Sequence, residues 1–223
     1  MEKGCRRHFI LSTALALLGG VIQEGAQAQA PGSPTGKPTV LVVGDSMSAE
    51  YGLARGSGWV ALLEKRLATH QPAIRVVNAS VSGDTTAGGR ARLAALLRQH
   101  QPAVVILELG GNDALRGLPL QSSQDNLQWM TRSAQQAGAR ALLVGMQVPP
   151  NYGARYTEQF AAMFTTVAKD NQAALVPFLL KGIADTADPT ALFQADRIHP
   201  SAQAQPRMLE NVWPELRKLL PGK

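Results

Sequence analysis

A chain of 223 residues with 45% hydrophobic content lies near the upper end of one-domain size and can bury a sizeable core. Only 5% of its residues are aromatic, which argues against base-stacking platforms; the formal charge of +6 is spread over scattered residues such as Arg90, Arg98, Arg132 and Lys169, so it reads as a solvated surface rather than a nucleic-acid site. The one cysteine, Cys5, falls in a removable leader, so the mature chain has no disulfide, thiol nucleophile or thiolate metal ligand.

The leader occupies residues 1–28. Lys3, Arg6 and Arg7 form its positive end, the stretch from Phe9 to about Ile22 is too short to span a bilayer, and Ala26-Gln27-Ala28 offers a small-residue cleavage site. Export to a bacterial periplasm is therefore expected, with no stable membrane insertion. Arg6-Arg7 before His8-Phe9-Ile10-Leu11 also fits a twin-arginine signal, which leaves the export route open. Residues 29–38, rich in Pro, Gly, Ser and Thr, read as a flexible tether, and residues 39–223 as one domain.

That domain opens with the apolar run Thr39-Val40-Leu41-Val42-Val43. Further short apolar runs at 74–77, 104–107, 141–144 and 175–178 alternate with helical patterns at about 59–69, 86–100, 124–136 and 158–171. The runs at 74–77 and 104–107 read as buried strands. Such alternation calls for an α/β fold with a parallel sheet between two helical layers, an α/β/α sandwich. A last helix, about 202–220, is expected to turn Met208, Val212 and Leu216 toward the sheet, kinked or shortened by Pro206 and Pro214. His70 and His100 fall at helix ends, where an imidazolium sits well against the helix dipole.

The first three strand-like runs end in small polar turns: Gly44-Asp45-Ser46, Ser82-Gly83-Asp84 and Gly110-Gly111-Asn112-Asp113. In an open parallel sheet, ligands bind outside the carboxyl ends of the strands where the order reverses, so these turns are expected at one crevice. Near the other end stands Asp196-Arg197-Ile198-His199-Pro200. A neutral hydroxyl is a poor nucleophile and needs an imidazole to take its proton and a carboxylate to fix the tautomer; Ser46, His199 and Asp196 have those groups. Each motif also has a plainer explanation. Gly-Asp-Ser is ordinary turn and cap chemistry, Gly83 suits a positive φ, and Asn112 suits an Asx-turn. A metal reading would need His199, Asp196 and Asp113 to converge, and the further His or Glu cluster it calls for is missing.

Taken together, the four blocks resemble the GDSL/SGNH hydrolase superfamily, which carries Ser, Gly, Asn and His in four ordered motifs. Val77 to Thr85, Glu108 to Gly117 and Pro150 to Tyr156 narrow the resemblance to its bacterial periplasmic thioesterase, lysophospholipase and arylesterase branch. The resemblance implies five strands in flavodoxin-like order 2-1-3-4-5. It also implies Ser46 as nucleophile, His199 as general base and then acid, and Asp196 as its orienting carboxylate. Ser46, Gly83 and Asn112 would form an oxyanion hole, without metal or cofactor. Asp45 belongs to the motif without joining the triad, and Asp84 and Asp113 are expected to tie loops together. The stretch 114–120 matches a loop that shifts in relatives when an acyl chain binds.

Leu115 in that stretch, with Val148, Pro149 and Tyr152 after the fourth strand, is assigned to substrate contact; the apolar stretch of the latter three, which also holds Met146 and Pro150, equally fits simple loop packing or one wall of the acyl pocket. The expected activity is hydrolysis of small acyl esters, acyl-thioesters or lysophospholipids by a monomer. The alternatives are a carbohydrate O-acetylesterase of the same superfamily, disfavoured by the few aromatic platforms, and a lipid- or glycan-binding module with an idle serine.

Overall fold

The structure, a computed structural model, describes residues 37–71 and 73–222. The expected leader, and all of the tether but its last two residues, lie outside the described residues. Five strands and six α-helices follow in chain order: β1 (Thr39–Gly44), α1 (Trp59–His70), β2 (Arg75–Asn78), α2 (Thr86–His100), β3 (Val104–Glu108), α3 (Gly111–Leu115), α4 (Leu120–Gln136), β4 (Arg140–Val144), α5 (Ala154–Asp170), β5 (Ala174–Val176) and α6 (Gln205–Leu219). The strands are all parallel in the order β2-β1-β3-β4-β5, as expected. Helix α1 packs with α6, and α4 with both α2 and α5, so helices flank the sheet.

Burial follows position in the sheet. Every residue of β1 and β3 is buried, because central strands of a helix-covered parallel sheet meet apolar partners on both faces. The same reading of 74–77 needs correction: β2 is an edge strand, with Arg75 and Asn78 exposed and Val76 and Val77 half-buried. At the other edge β5 stops at Val176 because Pro177 has no N–H for the ladder; Gly145 N–H donates to the Val176 carbonyl and Leu179 N–H to Gly145 instead.

The helices place their apolar stripes inward at helical spacing: Trp59, Val60, Leu63 and Leu67 on α1, and Phe160, Met163, Phe164 and Val167 on α5. Helices α4 and α5 each begin four residues before the expected start, after Pro119 and Gly153 respectively. Met208, Val212 and Leu216 of α6 are fully buried. Pro206 lies in the first turn of α6, where a missing N–H costs nothing. It shortens the helix, because residues 202–204 form a separate 3-10 turn, while α6 continues past Pro214 to Leu219. Gln205 also reaches across: its Oε1 accepts from Trp59 N–H at 3.0 Å and so caps α1, which Gly58 has no side chain to do. His70 and His100 are the last residues of α1 and α2.

Candidate active site

Ser46 sits just past the end of β1, in a turn closed by Ser48 and Ala49 N–H on the Asp45 carbonyl. Asp45 Oδ1 accepts from Met47 N–H at 3.0 Å, an Asx-turn that fixes the backbone on both sides of Ser46. Gly44 is required here. A Cβ would stand 2.8 Å from Glu108 Oε2 and 2.9 Å from the Ser48 side chain.

His199 arrives from the far end of the chain. Its Nε2 lies 2.9 Å from Ser46 Oγ and its Nδ1 lies 2.7 Å from Asp196 Oδ2. With a carboxylate at Nδ1, the proton belongs on that nitrogen, which leaves Nε2 to accept from the serine hydroxyl. Asp196 Oδ1 accepts from the N–H groups of both Ile198 and His199 at 3.0 Å, so the carboxylate is held by the backbone it orients. Those two donors, chiefly, hold the Asp196 carboxyl down at about 2. Arg197 between them adopts φ +57°. The Tyr51 ring packs on the imidazole with centroids 4.4 Å apart.

The loop carrying His199 is anchored by residues that sequence reasoning missed. Gln194 Nε2 donates to the carbonyls of Tyr51 at 2.9 Å and Pro200 at 3.1 Å, tying the loop to the segment after β1. Glu50 organises that segment by accepting from Gly56 and Gly58 N–H. Neither residue has a sequence signal, because each acts through contacts with no characteristic spacing.

Asn112 stands near the start of α3, and its Nδ2 donates to Asp45 Oδ2 and the Asp84 carbonyl, each at 3.0 Å. The amide is thus already aimed between the ends of β1 and β2. Gly83 has φ +79°, and Arg116 Nη2 donates to its carbonyl at 2.7 Å. Among the described residues, nothing accepts from the backbone N–H of Ser46 or Gly83.

The expected tying roles of Asp84 and Asp113 are visible. Asp113 is buried and accepts from Thr86 N–H at 2.9 Å, from the Thr86 hydroxyl and from Ser123 Oγ, joining α2 and α4 to the turn after β3. Asp84 pairs with Arg92 at 2.8 Å, and Arg92 in turn reaches the carbonyls of Ala79 and Gly44.

Beneath the turn lie two buried carboxyl groups. Glu108 ends β3 with no exposure and accepts from Ser48 Oγ at 2.7 Å and Asp45 N–H at 3.4 Å, while its Oε1 has no partner. Desolvation and the neighbouring Asp45 charge push its carboxyl well above the usual range. Burial likewise raises Asp45 to about 6, against the pull of its bonds from Met47 and Asn112. Both carboxyl groups thus hold their protons to higher pH than exposed ones would, because burial disfavours the charged form.

A cavity of about 100 Å³ opens over Ser46 and His199, lined also by Met47, Asn112, Leu115, Met146 and Ile198. Of the expected substrate-contact residues, Leu115 is in this lining, and Val148, Pro149 and Tyr152 are not; of the expected oxyanion donors, Ser46 and Asn112 are in it and Gly83 is not. Val148 is buried, and Tyr152 stacks on Tyr156 at 6.0 Å, packed against the core. Nothing in the sequence marks Met47 and Ile198 as lining, since each only flanks a catalytic residue, whereas Met146, in the apolar stretch expected either to pack or to wall the acyl pocket, does line the cavity.

Comparison with known proteins agrees with this arrangement. The GDSL-like lipase/acylhydrolase family matches residues 42–206. "Esterase TesA" of Pseudomonas aeruginosa is 51% identical over 214 residues, covering 96% of this chain and 100% of that protein. "Thioesterase 1/protease 1/lysophospholipase L1" of Escherichia coli is 41% identical over 182 residues, covering 82% and 85%. Among solved structures, a crystal structure of TesA aligns with a TM-score of 0.78 at 55% identity, covering 82% of this chain and 99% of the other. The psychrotrophic esterase EstA from Pseudoalteromonas sp., inhibited by monoethylphosphonate, aligns with a TM-score of 0.75 at 40% identity and covers 82% and 99%. Motif order, sheet topology and these similarities converge: the chain belongs to the GDSL-like lipase/acylhydrolase family and is an ester hydrolase.

Proposed function

We propose that this protein hydrolyses acyl esters and thioesters through an acyl-enzyme on Ser46, with His199 as base and Asp196 as the group that orients it. The observation that carries the reading is the unbroken line Asp196 Oδ2, His199 Nδ1, His199 Nε2, Ser46 Oγ, with gaps of 2.7 and 2.9 Å, opening on an apolar cavity. Ser46 Oγ attacks the substrate carbonyl carbon as its proton passes to His199 Nε2, and the imidazolium that forms is stabilised by Asp196. The carbonyl oxygen becomes negative and is met by the N–H groups of Ser46 and Gly83 and by the Asn112 amide, which exchanges one of its present acceptors for the oxyanion. Collapse expels the alcohol or thiol, which takes the proton from His199. Water then attacks the acyl-enzyme under the same base and frees the acid and Ser46.

The names of the relatives support aryl esters, acyl-thioesters and lysophospholipids as substrate classes, and the apolar Leu115, Met146 and Ile198 suit an acyl chain. The reading includes removal of residues 1–28, export, and action as a monomer with no metal or cofactor. Among the described residues no helix is long and apolar enough to cross a membrane. Amino-terminal sequencing of the exported protein tests the cleavage after Ala28. Turnover of a nitrophenyl butyrate ester by the purified protein tests the chemistry. Ser46→Ala is expected to lose at least about 10⁴-fold in kcat with an unchanged melting temperature, and a phosphonate ester is expected to add its mass to Ser46. Equal turnover by Ser46→Ala and the parent protein would remove the reading.

A further inference from the structure

Six large apolar side chains are exposed among the described residues, and five of them stand around the catalytic crevice. Tyr51 follows β1, Val81 follows β2, Leu115 and Leu118 follow β3, and Ile198 precedes His199; their exposures run from 37 to 52%. Scattered exposed apolar residues need no explanation, but a cluster at one end of a molecule does. The loop backbones are fastened, so the side chains are presented outward. Val81 N–H donates to Gly44, Leu118 N–H to Asp113 and Ile198 N–H to the Asp196 carboxylate.

Charge of both signs lies on the same loops but is engaged differently. Arg55, Arg116 and Arg197 are exposed. The carboxylates of the loops keep their charge but are tied to donors of their own: Glu50 to Gly56 and Gly58 N–H, Asp84 to Arg92, Asp113 to Thr86 and Ser123, Asp185 to Gly182 N–H, Asp188 to Thr190 N–H, and Asp196 to His199 and Ile198. Around the crevice mouth stand apolar groups and three exposed guanidinium groups that pair with no carboxylate among the described residues, a combination that favours an anionic lipid surface. Leu115 and Ile198 belong to both the rim and the cavity lining, so the apolar path runs unbroken from the outer surface toward Ser46.

We propose that this rim docks the protein on anionic lipid surfaces, with the crevice facing the lipid, so that an acyl chain enters directly from the lipid layer. The proposal rests on the esterase reading for its purpose, but not for its measurement. In the test, the processed protein, without residues 1–28 and carrying Ser46→Ala, is sedimented with sucrose-loaded vesicles of phosphatidylglycerol and phosphatidylcholine, or of phosphatidylcholine alone. Partitioning is expected to be at least about tenfold stronger on the anionic vesicles and to weaken in high salt. Adding Val81→Asp with Arg55→Ser is expected to reduce it about tenfold. In the active protein, that pair is expected to leave turnover of soluble nitrophenyl acetate within about threefold, since neither residue lines the cavity. Should the pair impair soluble turnover as well, Val81→Ser with Arg55→Gln decides on the same criteria.

Equal partitioning on both vesicles, no partitioning, or partitioning unaffected by the substitutions overturns the docking. So does a finding that the substitutions dissolve a dimer in sedimentation velocity without lipid, since the rim is then a self-interface. A protein that hydrolyses soluble ester yet ignores both vesicles loses only the docking. One that binds anionic vesicles through the rim but turns over no ester supports the docking and loses the esterase reading.

Discussion

The two halves of the site are built by opposite means. Ser46 and Asn112 stand on the ends of β1 and β3, over the buried carboxyl groups of Asp45 and Glu108. His199 and Asp196 stand on an irregular loop between β5 and α6, where Asp196 is exposed and held by N–H groups two and three residues away. The buried half is rigid because the sheet is; the exposed half owes its shape to local hydrogen bonds and to Gln194. The carboxyl groups record the difference. Burial raises Asp45 to about 6, while two backbone donors lower Asp196 to about 2. One residue type thus titrates in opposite directions within a single site, because desolvation dominates at one position and hydrogen bonding to the charged form at the other.

The largest expected effect breaks the exposed half. Asp196→Asn keeps the shape but presents an amide to His199 Nδ1, which favours the wrong tautomer; kcat is expected to fall by about 10³ to 10⁴-fold. Steady-state kinetics with the melting temperature measured alongside will separate this from unfolding.

The next strikes the buried half. Glu108→Ala strands the Ser48 hydroxyl and opens a void under the turn, with an expected loss of about 2–4 kcal/mol in urea unfolding. Glu108→Gln, an isostere of the protonated form that burial favours, keeps an acceptor for Ser48 and is expected to cost less than about 1 kcal/mol and to keep most activity. Equal losses for the two would show that an amide cannot stand in for the carboxyl group here.

The third sharpens the contrast in titration. Because Asp45 is raised in the folded state, its contribution to stability is fully present below its ordinary range near 3.8 and is lost as pH rises through about 6, on the order of 2–3 kcal/mol. Asp196 has the opposite sign: its contribution is present above about 4 and is lost as pH falls toward 2. Unfolding free energy measured between pH 4 and 7 is therefore expected to fall less steeply in Asp45→Asn than in the parent. Identical slopes would mean that Asp45 titrates normally.

The smallest effect concerns the tether of the exposed loop. Gln194→Ala removes the bonds to Tyr51 and Pro200 and is expected to lower kcat about three- to tenfold, with about 1 kcal/mol of stability lost. An unchanged kcat would show that Asp196 and the backbone fix His199 unaided.

Strand and helix positions and the Ser-Asn-His blocks were legible in the sequence because each has a local signature, whereas the strand order came only with the family resemblance. Apolar runs of four to six residues mark strands, and strand ends rich in Gly and Asn mark the crevice. Strand edges were less so. The 74–77 run carries a charged Arg75 where 104–107 is wholly apolar, and its place beside β1 alone, with no neighbour beyond, leaves β2 half-exposed. The substrate wall was only partly placed: of the apolar stretch after β4, Met146 turns to the cavity while Val148 packs into the core.

By itself, the sequence determined which chemistry-bearing groups the chain owns and that a parallel sheet would carry them, since periodicity and turn chemistry are properties of neighbouring residues. Tertiary structure alone decided how those groups are held and charged. Gln194 reaching Tyr51, Gln205 capping α1, and Glu108 lying under Asp45 join residues 143, 146 and 63 positions apart. No local pattern encodes contacts of that range, and the titration of Asp45 and Glu108 depends on the solvent those contacts exclude.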